Sequence, residues 1–258
     1  MRPFFCQRLR CIPDCGSISV LIFILFLSAS RDSIGWASAA ELPTEIRTLL
    51  NQGLELWLDP NALGPDRSAS PRNAASAAAA GGGAIATWPD ASQRKRDVSQ
   101  PDPKFRPRVV VPMTNAPGAI AARFDGVDDR LISTQAKLAL TNFTLVLVAA
   151  PHSNGGGFRA LFSGNARGRN DYVTGLNLDL GAGSTGEFEM LNAEGAGFGG
   201  MRNLLHRSFG WGGFHLIHLV SDQGSGLVRL FVDGELQGER ERQPGVLSLE
   251  EIRLGCRH

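Results

Sequence analysis

The sequence predicts an all-β fold of two packed antiparallel sheets, with one short helix ahead of it. Three observations carry this. Thirty-one glycines punctuate the chain, short runs of alternating apolar and polar residues recur between Gly, Asn and Asp clusters, and no stretch beyond Leu54 holds a helical period for long. Residues 1–40 read as an export signal. Arg2, Arg8 and Arg10 form a basic start, Ser17 to Ala29 is an apolar run of about 13 residues, and Ala37-Ser38-Ala39-Ala40 supplies small residues for cleavage. The run is short of the roughly 20 residues that span a bilayer. An uncleaved anchor is the alternative reading. Residues 41–53 form the helical lead-in, where Ile46, Leu49 and Leu50 share one helical face.

The domain proper covers residues 54–258. Its first expected strand is Leu54 to Leu58, and residues 68–84, which end in SAAAAGGGA, read as a flexible insertion with nothing to bury. Phe143 to Ala150 (FTLVLVAA) is apolar at both parities and is expected inside a sheet. In Tyr172 to Leu180 the residues Leu176, Leu178 and Leu180 alternate with Asn177 and Asp179, as a half-buried strand requires. Phe214 to Val220 and Leu227 to Val232 follow. Asp233-Gly234 then turns the chain into Glu235-Leu236-Gln237, because this pair tolerates the positive φ angles of a type I′ hairpin turn.

Charge and cysteine content exclude several classes. Of 26 basic and 25 acidic residues, four arginines and two acids precede residue 41, which leaves 22 against 23. That balance offers no footprint for nucleic acid, or for a membrane once the signal is removed. Cys6, Cys11 and Cys15 fall in the signal segment, so Cys256 is alone in the processed chain and no internal disulfide staples it.

The order LELWLDP, ATWPDAS, ARFDGVDDRL, FTLVLVA, VRLFVDGELQG and EIRLG resembles the laminin-G-like, concanavalin A-like modules of large exported bacterial proteins. Its most specific pieces are Phe124 to Asp129 (FDGVDD) and Phe231-Val232-Asp233-Gly234. The resemblance covers most of Leu54 to Gly255. It implies a two-sheet jelly roll, a carbohydrate or protein ligand and, in some relatives, bound calcium. Such modules continue past the Gly255 region with a further strand beside the first one. That strand is expected to be missing here, which points to a piece of a longer chain.

Four constellations could carry chemistry. Glycoside hydrolases of this fold bear Glu-x-Asp-x-x-Glu on one bulged strand. Glu187 and Glu189 share a face, but the middle acid is Glu189 where Asp is required, and Asn192 stands at the last position. Glu194 has the opposite parity. The pattern for catalysis is not met. Asp125, Asp128 and Asp129 could give calcium hard oxygens, with Asn170 and Asp171 from a second loop. The same acids equally suit a turn that caps backbone amides. His215 and His218 lie three apart on an expected strand, hence on opposite faces. Gly195 to Gly200 fits G-x-G-x-x-G but lacks the helix and parallel strand that a dinucleotide site needs.

Recognition of a ligand falls to Trp211, in a glycine-flanked loop, and to Tyr172, Asn177 and Asp179. The expected function is non-catalytic binding or scaffolding in a secreted, periplasmic or surface protein. A hydrolase on the same fold and a plain structural spacer are the alternatives.

Overall fold

A computed structural model describes residues 18–21, 53–63, 82–110 and 120–257. The strands in chain order begin with β1 (Ile18–Leu21), β2 (Thr87–Trp88), β3 (Val98–Ser99), β4 (Arg108–Val110), β5 (Ala121–Phe124) and β6 (Leu131–Ser133). Next come β7 (Leu138–Leu140), β8 (Phe143–Pro151), β9 (Asn154–Gly155), β10 (Ala160–Asn165), β11 (Leu176–Asp179), β12 (Ser184–Thr185) and β13 (Asn192–Gly195). The last are β14 (Arg202–Asn203), β15 (His215–Asp222), β16 (Leu227–Val232), β17 (Glu235–Glu241), β18 (Leu247–Leu249) and β19 (Glu251–Leu254).

Two large antiparallel sheets result. One has seven strands in the order β17-β16-β15-β8-β1-β5-β4, and the other has eight in the order β14-β13-β11-β10-β19-β6-β3-β2. Alternation builds the core between them. Phe143, Leu145, Leu147 and Ala149 of β8 and Val228, Leu230 and Val232 of β16 are buried, with half-exposed residues between them. They join Leu131, Leu254, Phe162 and Leu178 from the eight-stranded sheet, together with Trp88 and Phe124, in one apolar cluster. The sheet order puts β8 inside its sheet, as its two apolar faces require. Asp233 and Gly234 turn β16 into β17 with φ of 53° and 82°, the signs of a type I′ turn.

Two local expectations change. Tyr172 to Leu180 is not one half-buried strand: Asp171–Thr174 is a single helical turn, and all four residues of β11 are buried. Asn177 and Asp179 leave solvent because charged partners cover them. Leu54, Leu56 and Leu58 alternate into the core, but only Leu58 makes a ladder bridge, to Asp90. Its backbone is bonded locally instead: Trp57 N donates to Asp90 Oδ1 (2.9 Å), Ala91 N donates to Trp57 O (2.7 Å), and Arg96 Nη1 donates to Glu55 O (2.7 Å).

Four residues of the expected signal segment are among the described ones. Its residues Ile18–Leu21 form β1, hydrogen-bonded in the sheet between β5 and β8, with Val20 in register with Ala122 on one side and Ala149 on the other. Among the described residues, no helix is long and apolar enough to cross a membrane. All of the expected helical lead-in at 41–53 but Gly53, and most of the 68–84 insertion, lie outside the described residues.

Candidate functional site

Strand register assembles a polar row on the outer face of the eight-stranded sheet. Ser99, Ile132, Arg253, Ser163, Asn177 and Glu194 pair in sequence across β3, β6, β19, β10, β11 and β13. Side chains alternate along each strand, so this row faces away from the core row of Leu131, Leu254, Phe162, Leu178 and Ala193. Asp179 and Asn192 pair one position pair further along. An outer face would normally be wet, yet Ser163, Asn177 and Asp179 are fully buried. The chain end beyond β19 provides the cover.

Gly255 sets the path of that cover. Its φ is +81°, and a Cβ there would lie 2.4 Å from the Phe124 ring and 2.9 Å from Asp129 O, so only glycine fits. Cys256 follows, its carbonyl accepting from Ser163 Oγ (3.0 Å). Arg257 then extends over the polar row. Its Nη2 and Nε donate to Asp171 Oδ1 (2.7 Å) and Oδ2 (3.2 Å), a two-pronged pair. It also meets Asp179 Oδ2 (3.4 Å) and Glu194 Oε2 (3.3 Å). With its amide turned to satisfy both neighbours, Asn177 donates to Asp179 Oδ2 (2.6 Å) and accepts from Arg257 Nη2 (3.0 Å).

Three carboxylates thus share one guanidinium, and the titration directions follow. Burial raises the Asp179 carboxyl above its ordinary range, against the Gly181 amide, the Asn192 side chain and Arg257, which all favour its charged form. Burial also works against the charge of Arg257, but its bonds to Asp171 and the neighbouring carboxylates outweigh it and hold the pKa up.

An open cleft of about 560 Å³ lies above this cluster, lined by Gly157, Phe158, Tyr172, Glu194, Met201 and Arg257. Arg257 sits 5.3 Å from the Phe158 ring centroid and 5.8 Å from that of Tyr172. Phe158 has φ of +54° and follows two glycines with positive φ, an uncommon conformation for an aromatic residue that places its ring over the guanidinium. Tyr172 and Met201 are the exposed rim, at 42 % and 56 %.

Of the residues expected to bind ligand, Tyr172, Asn177 and Asp179 come together here. Trp211 does not join them: its indole N–H donates to Gly186 O (2.8 Å) and its ring stacks on Phe188 at 6.0 Å. Asn170 and Asp171 also belong to this neighbourhood. Asn170 bonds Tyr172 OH, and Asp171 carries Arg257. Asp125, Asp128 and Asp129 stand elsewhere, with one carboxylate oxygen from each within 4.8 Å of the others. Asp125 Oδ1 accepts from the amides of Val127 (2.9 Å), Asp128 (3.1 Å) and Asp129 (3.2 Å), and Asp129 Oδ2 accepts from Asp125 N (3.0 Å). Two of the three acids therefore serve the turn, as the capping alternative requires. Three oxygens are about half of what calcium takes.

Glu187 and Glu189 are exposed on either side of buried Phe188, outside the cleft. His215 bonds Asp233 Oδ2 (2.7 Å) and packs on Phe209 at 4.8 Å. Sequence reasoning missed Arg257, Phe158 and Met201. The polar parities of Asn177, Asp179, Asn192 and Glu194 were a signal that some countercharge had to cover two adjacent strands. Comparisons of the sequence with protein-family models and with curated proteins found no match.

Proposed function

We propose that this chain is a non-catalytic binding module of an exported protein, a laminin-G-like jelly roll of the concanavalin type, and that it binds carbohydrate in the Tyr172 cleft. The observation that carries this is the buried Arg257 cluster beneath two aromatic rings. A fixed polar floor meets sugar hydroxyls, while aromatic faces meet the apolar face of a sugar ring. Strain held at Phe158 supports a ligand-facing role for that ring.

The acids are arranged for support of this floor. Asp171 and Asp179 are fully buried and bonded to Arg257, which leaves Glu194 as the cleft's half-exposed carboxylate. A hydrolase would need two carboxyls free to reach one glycosidic bond. Calcium, where it contributes, would be held by Asp125, Asp128 and Asp129 and would brace the turn after β5.

The test is calorimetric titration of the full chain with neutral oligosaccharides chosen from a glycan array. Tyr172→Ala is expected to weaken binding about tenfold, the scale of one lost aromatic contact of roughly 1.5 kcal/mol. Equal affinity of wild type and variant would remove the cleft from the reading. Absence of any saturable glycan, with and without calcium, would leave the structural spacer. Turnover of a bound glycan that vanishes in Glu194→Gln would instead establish the hydrolase alternative.

A further inference from the structure

A second cleft opens on the same sheet face as the first. It has about 570 Å³ and is lined by Lys95, Arg96 and Asp97, by Ser99 to Pro101, and by Arg130 with Ile132 to Gln135. Ser99 and Ile132 are the β3 and β6 members of the outer row that ends at Glu194. Four strand spacings separate β6 from β13, or roughly 19 Å at about 4.8 Å each.

The charges of this cleft are unequal in number and in availability. Three cations face one carboxylate, and Asp97 Oδ1 already accepts from Asp90 N (2.8 Å). Arg96 is committed to the fold through Ala136 O, Glu55 O (2.7 Å) and Glu55 Oε2 (2.9 Å). Lys95 and Arg130 are not so committed. Lys95 is exposed, held in a left-handed backbone conformation with φ of +54°, and its ammonium makes one long bond of 3.4 Å to Asp90 O. Arg130 Cζ sits over the Phe105 ring, 4.1 Å from its centroid, and Nη1 donates to Asp128 O (3.1 Å). Among the described residues its other guanidinium N–H groups take no hydrogen-bond partner. A guanidinium with its position fixed and its remaining donors free is suited to a planar or tetrahedral anion.

We infer that this basic cleft binds a carboxylate or sulfate group carried on the polysaccharide whose other units reach the Tyr172 cleft. Lys95 supplies a mobile charge, Arg130 the fixed fork, and Thr134 and Gln135 hydrogen-bonding groups at the rim. The inference rests on the glycan-binding reading above and names its ligand class, an acidic polysaccharide laid across the strands.

The experiment titrates the full chain with polygalacturonate, dextran sulfate and unmodified dextran at two salt concentrations. Arg130→Gln and Lys95→Gln are each expected to weaken binding of the carboxylate or the sulfate polymer about tenfold or more, the scale of one charge-assisted bond. Both should also flatten its salt dependence. Arg130→Lys, which keeps the charge but not the fork, should fall between. Arg229→Gln, at an exposed pair on the other sheet, is the control and should change nothing. Preference for one polymer identifies the anion. Polyanion binding that ignores both substitutions, or binding of neutral glycans alone, overturns the inference and leaves the Tyr172 cleft standing. Failure of every glycan, neutral or acidic, sinks both.

Discussion

Arg257 gives the sharpest test of how the site is held together. Arg257→Ala removes the guanidinium from beside Asp171 and Asp179, both fully buried. Removing one partner of a buried ion pair costs about 3–5 kcal/mol, because a charge is stranded away from water. A domain of this size loses about 2–4 °C of Tm per kcal/mol, so the melting point should fall by roughly 6–20 °C. The loss should also depend on pH. Burial already raises the Asp179 carboxyl, and without Arg257, which favours its charged form, it rises further. The folded variant then binds more protons than the unfolded chain at all pH values between the unfolded and folded pKa, so its stability decreases as pH rises through that window. Thermal melts of wild type and variant at pH 5 and pH 8 should therefore show the larger gap at pH 8. Arg257→Met combined with Asp171→Asn removes both charges and should recover part of the loss at pH 8. A drop below about 1 kcal/mol, equal at both pH values, would show that Arg257 only lies over the surface.

Other substitutions test the frame around the site. Burial pushes the Asp129 carboxyl up to about 6 from 3.8, helped by Asp125 and Asp128, so its ionisation opposes folding as pH rises through that range. Asp129→Asn should raise Tm at pH 7.5 and not at pH 4, and a calcium-induced rise in Tm, if present in wild type, should vanish in it. Gly255→Ala forces a side chain into Phe124 and Asp129 O at positive φ, so it should cost more than about 1 kcal/mol and weaken glycan binding by shifting Arg257. Val20→Pro in the full chain removes the amide of a residue paired with both Ala122 and Ala149, at a cost of about 1–3 kcal/mol. Amide exchange should then speed up in β5 and β8. Unchanged exchange would mean that β1 does not hold that position.

The sheets were legible because their signals are local. Alternation in β8 and β16, and an Asp-Gly pair whose φ signs a turn demands, need no knowledge of distant residues. The same alternation misled at β11. Polar residues at every second position normally mean water, but Asn177 and Asp179 are covered by a side chain 80 and 78 positions further along the chain. Nothing within β11 distinguishes a wet polar face from one that awaits a distant guanidinium. Leu54 to Leu58 misled in the opposite direction. Its apolar alternation is real, but only Leu58 makes a bridge, and Asp90 and Arg96 side chains bond its backbone.

The polar layer nevertheless left a trace that physical reasoning can use. Asn177 and Asp179 on β11 and Asn192 and Glu194 on β13 put two acids and two amides on one sheet face across two adjacent strands. Acids placed so close repel, and a sheet tolerates them only if they are solvated or if a cation is shared between them. Arginine suits the second solution better than lysine, because a planar fork can meet Asp171 with two prongs and still reach Asp179 and Glu194. Glycine two residues before it lets the chain fold back over the face. The pairing Gly255 with Arg257 is thus the element that turns a run of polar strand residues into the floor of a cleft. Arg257→Lys should keep the charge and lose the fork, preserving most of the stability while weakening any ligand that depends on a rigid floor.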